Sequence, residues 1–381
     1  MGILANSEDK ALGLILSGGG ARAAYQVGVL RAIANLLPKQ AKNPFQVISG
    51  TSAGALNAVS LATNAHRLRA GVRTLEHVWK NLRSDKIYNP QSGNLLSSAS
   101  NVLLSMLSAK SSENPIALLD NDPLIKLLGR VLKFDRIQRN IDTGLLNAVS
   151  VTASAYGSGE SVSFYQAVKG IEDWQGPHRI GVRTKLSLDH LVASSAIPVI
   201  FPATKIGNNY FGDGAVKQLT PTSTALHLGA RRLLAIGVSG NRINAPGEDE
   251  MGEQTSLSQI IGHILNSAFV DTLDNDLEFI RRMNKVSTHL SDKVIKEHGL
   301  ESSQIELLEI SPSKQLDVLA MEYYHELPKP MSRYIKEGSA STILSLILFE
   351  KGFCNALWQC GHDDAMEKET EIIEFFFTNP S

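Results

Sequence analysis

Cysteine is almost missing from this chain. Cys354 and Cys360, both near the C-terminal end, are the only two in 381 residues. A pair so placed excludes the disulfide framework that staples small secreted domains. Long apolar runs are missing too. No stretch reaches the roughly 18–20 apolar residues a membrane-spanning helix needs, and the first run, residues 12–16, has only the length of a strand. The opening MGILANSEDK has no basic segment and carries Glu8 and Asp9 ahead of that run, unlike a secretory signal. These absences predict a soluble protein of a reducing, cytoplasmic compartment. Basic residues occur singly, without interleaved aromatics, so nucleic acid is not an expected partner.

Acid is absent from one region altogether. Between Lys10 and Leu75 there is no Asp or Glu, whereas Arg22, Arg31, Lys39, Lys42, Arg67, Arg69 and Arg73 all fall there. Residues 1–242 hold 26 Lys and Arg against 14 Asp and Glu, and the remainder holds 11 against 24, so the net charge of -1 conceals a basic front and an acidic back. The asymmetry suits two halves packing with complementary charge. It also suits a basic surface facing anionic substrates or membrane.

What is present can build a large core, with 43% hydrophobic and 20% charged residues. Leu12–Leu16 predicts a buried strand. Ala23, Val27, Leu30, Ala34 and Leu37 then recur at helical spacing until Pro38. A second strand is expected over 45–48 and a buried helix over 53–62. Strand–loop–helix twice in 65 residues predicts an α/β fold with a parallel sheet between helices. Residues 84–122, rich in Ser and Asn around Leu95, Leu96, Leu103 and Leu104, suit either a cap touching lipid or a short core helix between loops. Residues 122–132 predict a helix, 148–155 and 162–165 a hairpin, 221–228 a helix and 233–238 a strand. Residues 10–240 thus form a candidate domain, 241–255 a linker with the acidic run Glu248-Asp249-Glu250, and 256–381 a mainly helical extension.

Three segments carry chemistry. Gly50-Thr51-Ser52-Ala53-Gly54 is a Gly-x-Ser-x-Gly sequence between a β-branched strand and a helix. There, flanking glycines allow the strained turn that lifts a serine nucleophile out of the backbone, and the helix N-terminus favours developing negative charge. Ser17-Gly18-Gly19-Gly20-Ala21-Arg22-Ala23 formally fits a dinucleotide fingerprint. The acidic residue expected about 20 positions on to hold the ribose falls in the acid-free region, so that function is set aside. No Gly-Lys-Ser/Thr follows, which excludes a P-loop. The remaining function is an oxyanion hole of converging backbone N–H groups, with Arg22 bracing the loop or adding positive potential. Asp213, between Gly212 and Gly214 after a strand-like Asn209-Tyr210-Phe211, is placed to act as a base once burial raises its pKa. A histidine base (His227, His263 or His289) stays open, although none lies in a recognisable motif.

The order SGGGARA at 17–23, GTSAG at 50–54 and DGA at 213–215 resembles the patatin-like phospholipase family, over roughly residues 10–240. The segment Ala193-Ser194-Ser195-Ala196-Ile197-Pro198, leading to Phe201-Pro202, is similar to the family's loop before the base. The resemblance implies a three-layer α/β/α sandwich and metal- and cofactor-free ester hydrolysis on phospholipids and related acyl lipids. Ser52 would be the nucleophile and Asp213 the base of a dyad. Gly18, Gly19, Gly20 and Arg22 would form the oxyanion hole, Gly50 and Gly54 the nucleophile elbow, and Gly214 and Ala215 the base loop. An acyl-lipid substrate, peripheral membrane contact and self-association are the partner expectations. Ala23 departs from the family, which has glycine there, and would distort the loop if that position needed positive φ. The competing readings are a thioesterase or carboxylesterase with a histidine base, and a non-catalytic lipid-binding scaffold. The dyad predicts that separate substitution of His227, His263 and His289 leaves ester hydrolysis near wild type, which steady-state assays of the three variants would check.

Overall fold

The computed structural model describes residues 10–89, 117, 119–240, 267, 271–289, 304–332, 335 and 341–377. The expected linker at 241–255 and the apolar residues 95–107 lie outside them. The chain opens with β1 (Leu12–Leu16), a 3-10 turn at Gly20–Ala23 and α1 (Ala24–Leu36). β2 (Val47–Thr51), α2 (Ala53–Thr63) and α3 (Leu68–Lys80) follow. The strand expected at 45–48 starts later because Phe45 is a buried plug, edge-on to Phe376 at 5.9 Å. After α4 (Asp122–Val131) and α5 (Asp135–Asp142) come β3 (Ala148–Ala155), β4 (Ser161–Ala167), β5 (Trp174–Gly176) and β6 (Arg179–Arg183). Next are α6 (Leu188–Ser194), β7 (Thr204–Ile206), β8 (Asn209–Asp213), α7 (Pro221–His227) and β9 (Arg232–Ile236). Later in the chain lie α8 (Asp271–Ser287), β10 (Glu306–Ile310), α9 (Leu316–Glu322), α10 (Lys329–Ser332), α11 (Ser341–Ile347), α12 (Lys351–Glu367) and α13 (Glu369–Phe377).

Among the described residues ten strands join one sheet, in the order β10-β9-β1-β2-β3-β4-β6-β5, with the β7–β8 hairpin set against β3. The five strands from β10 to β3 run parallel. Such strands are covered on both faces and read as continuous apolar runs, as β1 does. Alternation along each strand divides the core. Leu12, Leu14, Leu16, Ile48, Leu234 and Ile236 face the layer that holds α1, α2 and α3. Ile15, Val47, Ala148, Leu233 and Ala235 face the opposite layer, where α7 contributes Ala225 and α8 contributes Leu273, Leu277 and Ile280. The architecture is therefore the expected three-layer α/β sandwich with a mostly parallel sheet.

The described residues beyond 255 pack onto the central sheet and α1, where the sequence suggested a helical appendage. β10 extends the central sheet beside β9. α12 lies so close along α1 that a Cβ on Gly28 would stand 1.9 Å from the Trp358 carbonyl oxygen, and one on Gly361 would stand 2.1 Å from that of Tyr25. The Tyr25 hydroxyl donates to Asp364 at 2.9 Å across the same seam. Alternation and helical spacing report how a segment meets a core, not which core it meets, so the sequence could not show this. Among the described residues no helix is long and apolar enough to cross a membrane.

Gly28→Ala tests the seam. The gain in helix propensity, up to ~1 kcal/mol, is outweighed by the backbone clash, so a net loss of about 1–3 kcal/mol is expected in urea unfolding.

Candidate active site

β3 places the two central residues. Its first half pairs with β2 as far as Thr51 opposite Thr152. β2 ends there, and β8 takes the vacated edge with Asp213 opposite Ala153. Thr51 and Asp213 thus face adjacent positions of one strand, about 3.3 Å apart along its axis. Ser52, one residue beyond Thr51, turns sharply from the strand into α2 with φ 53 and ψ -129. Positive φ in a non-glycine residue is strained, and it persists only where the surroundings enforce it. Close approach enforces it here: a Cβ on Gly54 would lie 2.2 Å from the Leu16 carbonyl oxygen and 2.5 Å from that of Ser17.

The Ser52 hydroxyl donates to Asp213 Oδ2 at 2.5 Å. The Ala215 N–H donates to the other carboxylate oxygen at 3.0 Å. Both side chains are buried, Ser52 with 1% and Asp213 with 0% of its surface exposed. Burial pushes the Asp213 carboxyl up from 3.8 to about 7, against the lowering effect of the hydrogen bonds from Ser52 and Ala215. Its backbone is held as well: the Asp213 N–H donates to the Ala196 carbonyl at 2.8 Å, and the Ser154 hydroxyl donates to the Asp213 carbonyl at 2.8 Å.

The glycine run forms the other wall. Gly20, at φ 54, borders the same cavity as Ser52. The Arg22 N–H donates to the Gly19 carbonyl at 3.1 Å and so belongs to the 3-10 turn, unlike the role the family resemblance gave it. The Arg22 side chain is buried, and its Nε donates to Ser345 Oγ of α11 at 2.9 Å. Ala23 has φ -66, which alanine adopts freely, so the departure from glycine leaves the turn undistorted. Asn57 braces the turn from below, donating to the Ala23 carbonyl at 3.1 Å and to Gln26 at 2.9 Å while accepting from Trp79 at 2.8 Å. Asn57, Ser154 and the Ser345 contact escaped sequence reasoning, because a buried polar residue inside an element leaves no periodic signal.

The narrow cavity beside Ser52 is almost wholly apolar. α4 contributes Leu124, Leu127 and Leu128, the segment after α6 contributes Ile197 and Phe201, α3 contributes Trp79, and the C-terminal half contributes Phe349. The candidate histidine His227 sits elsewhere, stacked on Trp174 at 5.0 Å with Nδ1 2.7 Å from the Ser223 carbonyl oxygen. His263 lies outside the described residues.

A parallel α/β sandwich with a serine elbow over an apolar cavity defines a broad class of ester-cleaving folds. Comparison narrows it. The profile of the patatin-like phospholipases matches residues 14–226, more than half of the chain, and the chain belongs to that family. Membership supports a lipid hydrolase. No curated protein matches the chain significantly. Among solved structures, VipD from Legionella pneumophila is similar at 13% identity and TM-score 0.34, over 96% of this chain and 67% of that one. The human GIVD cytosolic phospholipase A2, in complex with methyl gamma-linolenyl fluorophosphonate, is similar at 12% identity and TM-score 0.45, over 99% and 60%. ExoU of Pseudomonas aeruginosa, in complex with SpcU, matches at 16% identity and TM-score 0.29, over 76% and 58%. The chain thus spans between 58% and 67% of the length of these structures. At such identities and scores the likeness says nothing about activity.

The buried carboxyl has a cost that can be read. It binds its proton more tightly folded than unfolded, so between about pH 4 and about pH 7 the folded chain holds more protons and loses stability as pH rises. Asp213→Asn removes that charge. Urea unfolding should find the variant more stable than wild type by on the order of a few kcal/mol above pH 7, with the advantage gone near pH 4.

Proposed function

We propose that the protein is a lipid acyl hydrolase of the phospholipase A or lysophospholipase type, cleaving carboxylic esters through an acyl-enzyme on Ser52 with Asp213 as base. The observation that carries this reading is the 2.5 Å hydrogen bond to a buried carboxylate from the hydroxyl of Ser52, a residue that lines an apolar cavity. The cavity suits a fatty acyl chain, since it offers hydrocarbon surface and little to a polar substrate.

As the Ser52 oxygen attacks the ester carbonyl carbon, its proton passes to Asp213 Oδ2. Charge develops on the carbonyl oxygen, which the amides of Gly18, Gly19 and Gly20 meet; such donors are each worth on the order of 10²–10³ in rate. Arg22 adds fixed positive potential from behind the loop, its own amide being committed to the turn. Collapse breaks the bond to the alcohol, which takes the proton from Asp213. Water then attacks the acyl-enzyme, giving one proton to Asp213, and that proton returns to Ser52 as the fatty acid leaves. A carboxyl with pKa near 7 suits both directions, because it is ionised often enough to accept a proton and basic enough to hold one. Peripheral contact with a membrane and self-association of the chain remain proposals of the same reading.

A fluorophosphonate probe read by mass spectrometry tests the proposal. The expected result is an adduct on Ser52 in the wild type, none in Ser52→Ala, and little in Asp213→Asn. The labelling rate should climb with pH through about 7 and level off as Asp213 ionises. A folded wild type that takes no label would reject the dyad in favour of the non-catalytic reading. A Ser52→Ala protein that still hydrolyses ester would reject Ser52 as nucleophile, and an Asp213→Asn protein labelled at the wild-type rate would favour the histidine base.

A further inference from the structure

The bend that follows α6 grips the backbone of both dyad residues. Ser194, the last residue of α6, is fully buried. Its Oγ accepts the Ser52 N–H at 2.8 Å and donates to the Thr152 carbonyl of β3 at 2.5 Å. Two residues on, the Ala196 carbonyl accepts the Asp213 N–H at 2.8 Å. The two grips are coupled through the frayed helix end, where Ser195 N–H donates to Leu191 at 3.0 Å and Ala196 N–H to Ala193 at 3.2 Å. None of these atoms exchanges a proton or bond with the ester in the proposed reaction.

From this geometry we propose that Ser194 is a positioning residue, which together with Ala196 clasps the backbones of Ser52 and Asp213 and sets the separation between nucleophile and base. The inference rests on the dyad reading above. Its physical basis is the strained elbow. At φ 53 the Ser52 N–H is turned to the side, where the Ser194 hydroxyl receives it. Removing that hydroxyl would leave a buried donor on Ser52 and a buried acceptor on Thr152 both without this partner, and an unsatisfied buried group is costly enough to drive local rearrangement. A short charge-assisted bond between Ser52 and Asp213 tolerates little movement of its ends.

The clasp has a signature that mere loss of folded protein would not produce. The groups facing the Asp213 carboxyl are the Ser52 hydroxyl from the elbow, the Ala215 N–H from the base loop and, from the end of β3, the Tyr156 phenol, whose pKa rises by burial and by the nearby Asp213 charge. The Ser52 bond holds the carboxyl below the value that burial alone would give. If Ser52 drifts away, that restraint weakens and Asp213 titrates higher. The ascending limb of kcat/KM should therefore move to higher pH.

The experiment takes the full chain and a p-nitrophenyl acyl ester, with pH profiles for wild type, Ser194→Ala and Ser194→Cys, thermal melts on each, and Ser52→Ala as reference. Ser194→Ala is expected to lose on the order of 10- to 100-fold in kcat, to keep KM within about twofold, and to show the alkaline shift. Ser194→Cys fills the same space with a weaker acceptor and should fall between. A folded Ser194→Ala with wild-type kcat and limb overturns the clasp, and so does a lowered kcat on an unmoved limb. If the alanine variant does not fold, the cysteine variant decides: a wild-type profile overturns the proposal and an intermediate, shifted one supports it. Activity in Ser52→Ala equal to wild type would defeat the dyad reading instead, whatever Ser194 does.

Discussion

The whole arrangement depends on one strand serving two partners in succession. β3 is paired along one edge first by β2 and then by β8, and the changeover falls between Thr152 and Ala153. Because strand pairing fixes backbone positions to a fraction of an ångström, the end of β2 and the end of β8 are held in register by their shared partner β3. A one-residue slip of β8 would move Asp213 by about 3.3 Å and turn its side chain to the other face of the sheet. The serine and the carboxylate meet because β3 admits no other register while Phe211 is packed inward on the core.

That constraint is expensive to maintain. Ser52 sits at positive φ, and Asp213 carries a carboxyl that burial drives toward neutrality. Neither would persist in a small or loosely packed protein. Here a chain of buried polar groups surrounds them. Thr51 is bonded to Gln218, Gln218 donates to Thr152 at 3.2 Å, Thr152 meets Ser163 at 3.1 Å, and Ser163 meets Thr224 at 2.8 Å. A fully satisfied buried network resists rearrangement, since moving one member would strand the others. The local strain is thus held in place by a bonded polar floor beside the dyad, while the cavity next to Ser52 is lined mostly by apolar side chains.

The C-terminal third belongs to this device. α12 seals α1, the helix that the glycine turn opens, and α11 receives the Arg22 side chain through Ser345. The Leu346 carbonyl lies where a Cβ on Gly20 would be, and Phe349 closes one side of the cavity. The family profile ends at residue 226, so elements outside it fix the shape of the loop and part of the pocket wall. The basic front of the sequence and its acidic back meet in places across this join, as in the pair of Arg232 with Glu306. The glycine-turn arginine also reaches across the join, through its bond to Ser345 of α11.

Local chemistry was legible from the residues alone. The glycine run, the Gly-x-Ser-x-Gly turn and Asp213 between glycines announce themselves because a positive φ at Gly20 and Ser52 and close backbone approach at Gly54 and Gly214 leave few residues that fit. Apolar runs and helical spacing likewise gave the first strand and helix, the buried helix after Ser52 and the α/β class. The acid-free stretch from Lys10 to Leu75 argues by itself against the nucleotide-binding alternative. What tertiary structure alone decided was proximity. Ser52 and Asp213 lie 161 positions apart in sequence, and only the pairing of β2 and β8 on β3 makes them neighbours. Ser194, Ser154, Asn57 and Ser345 are single polar residues within ordinary elements, with nothing in their spacing to mark them. Their roles arise from what stands across the fold, because hydrogen bonds of this kind depend on distance in space, and a sequence records only distance along the chain.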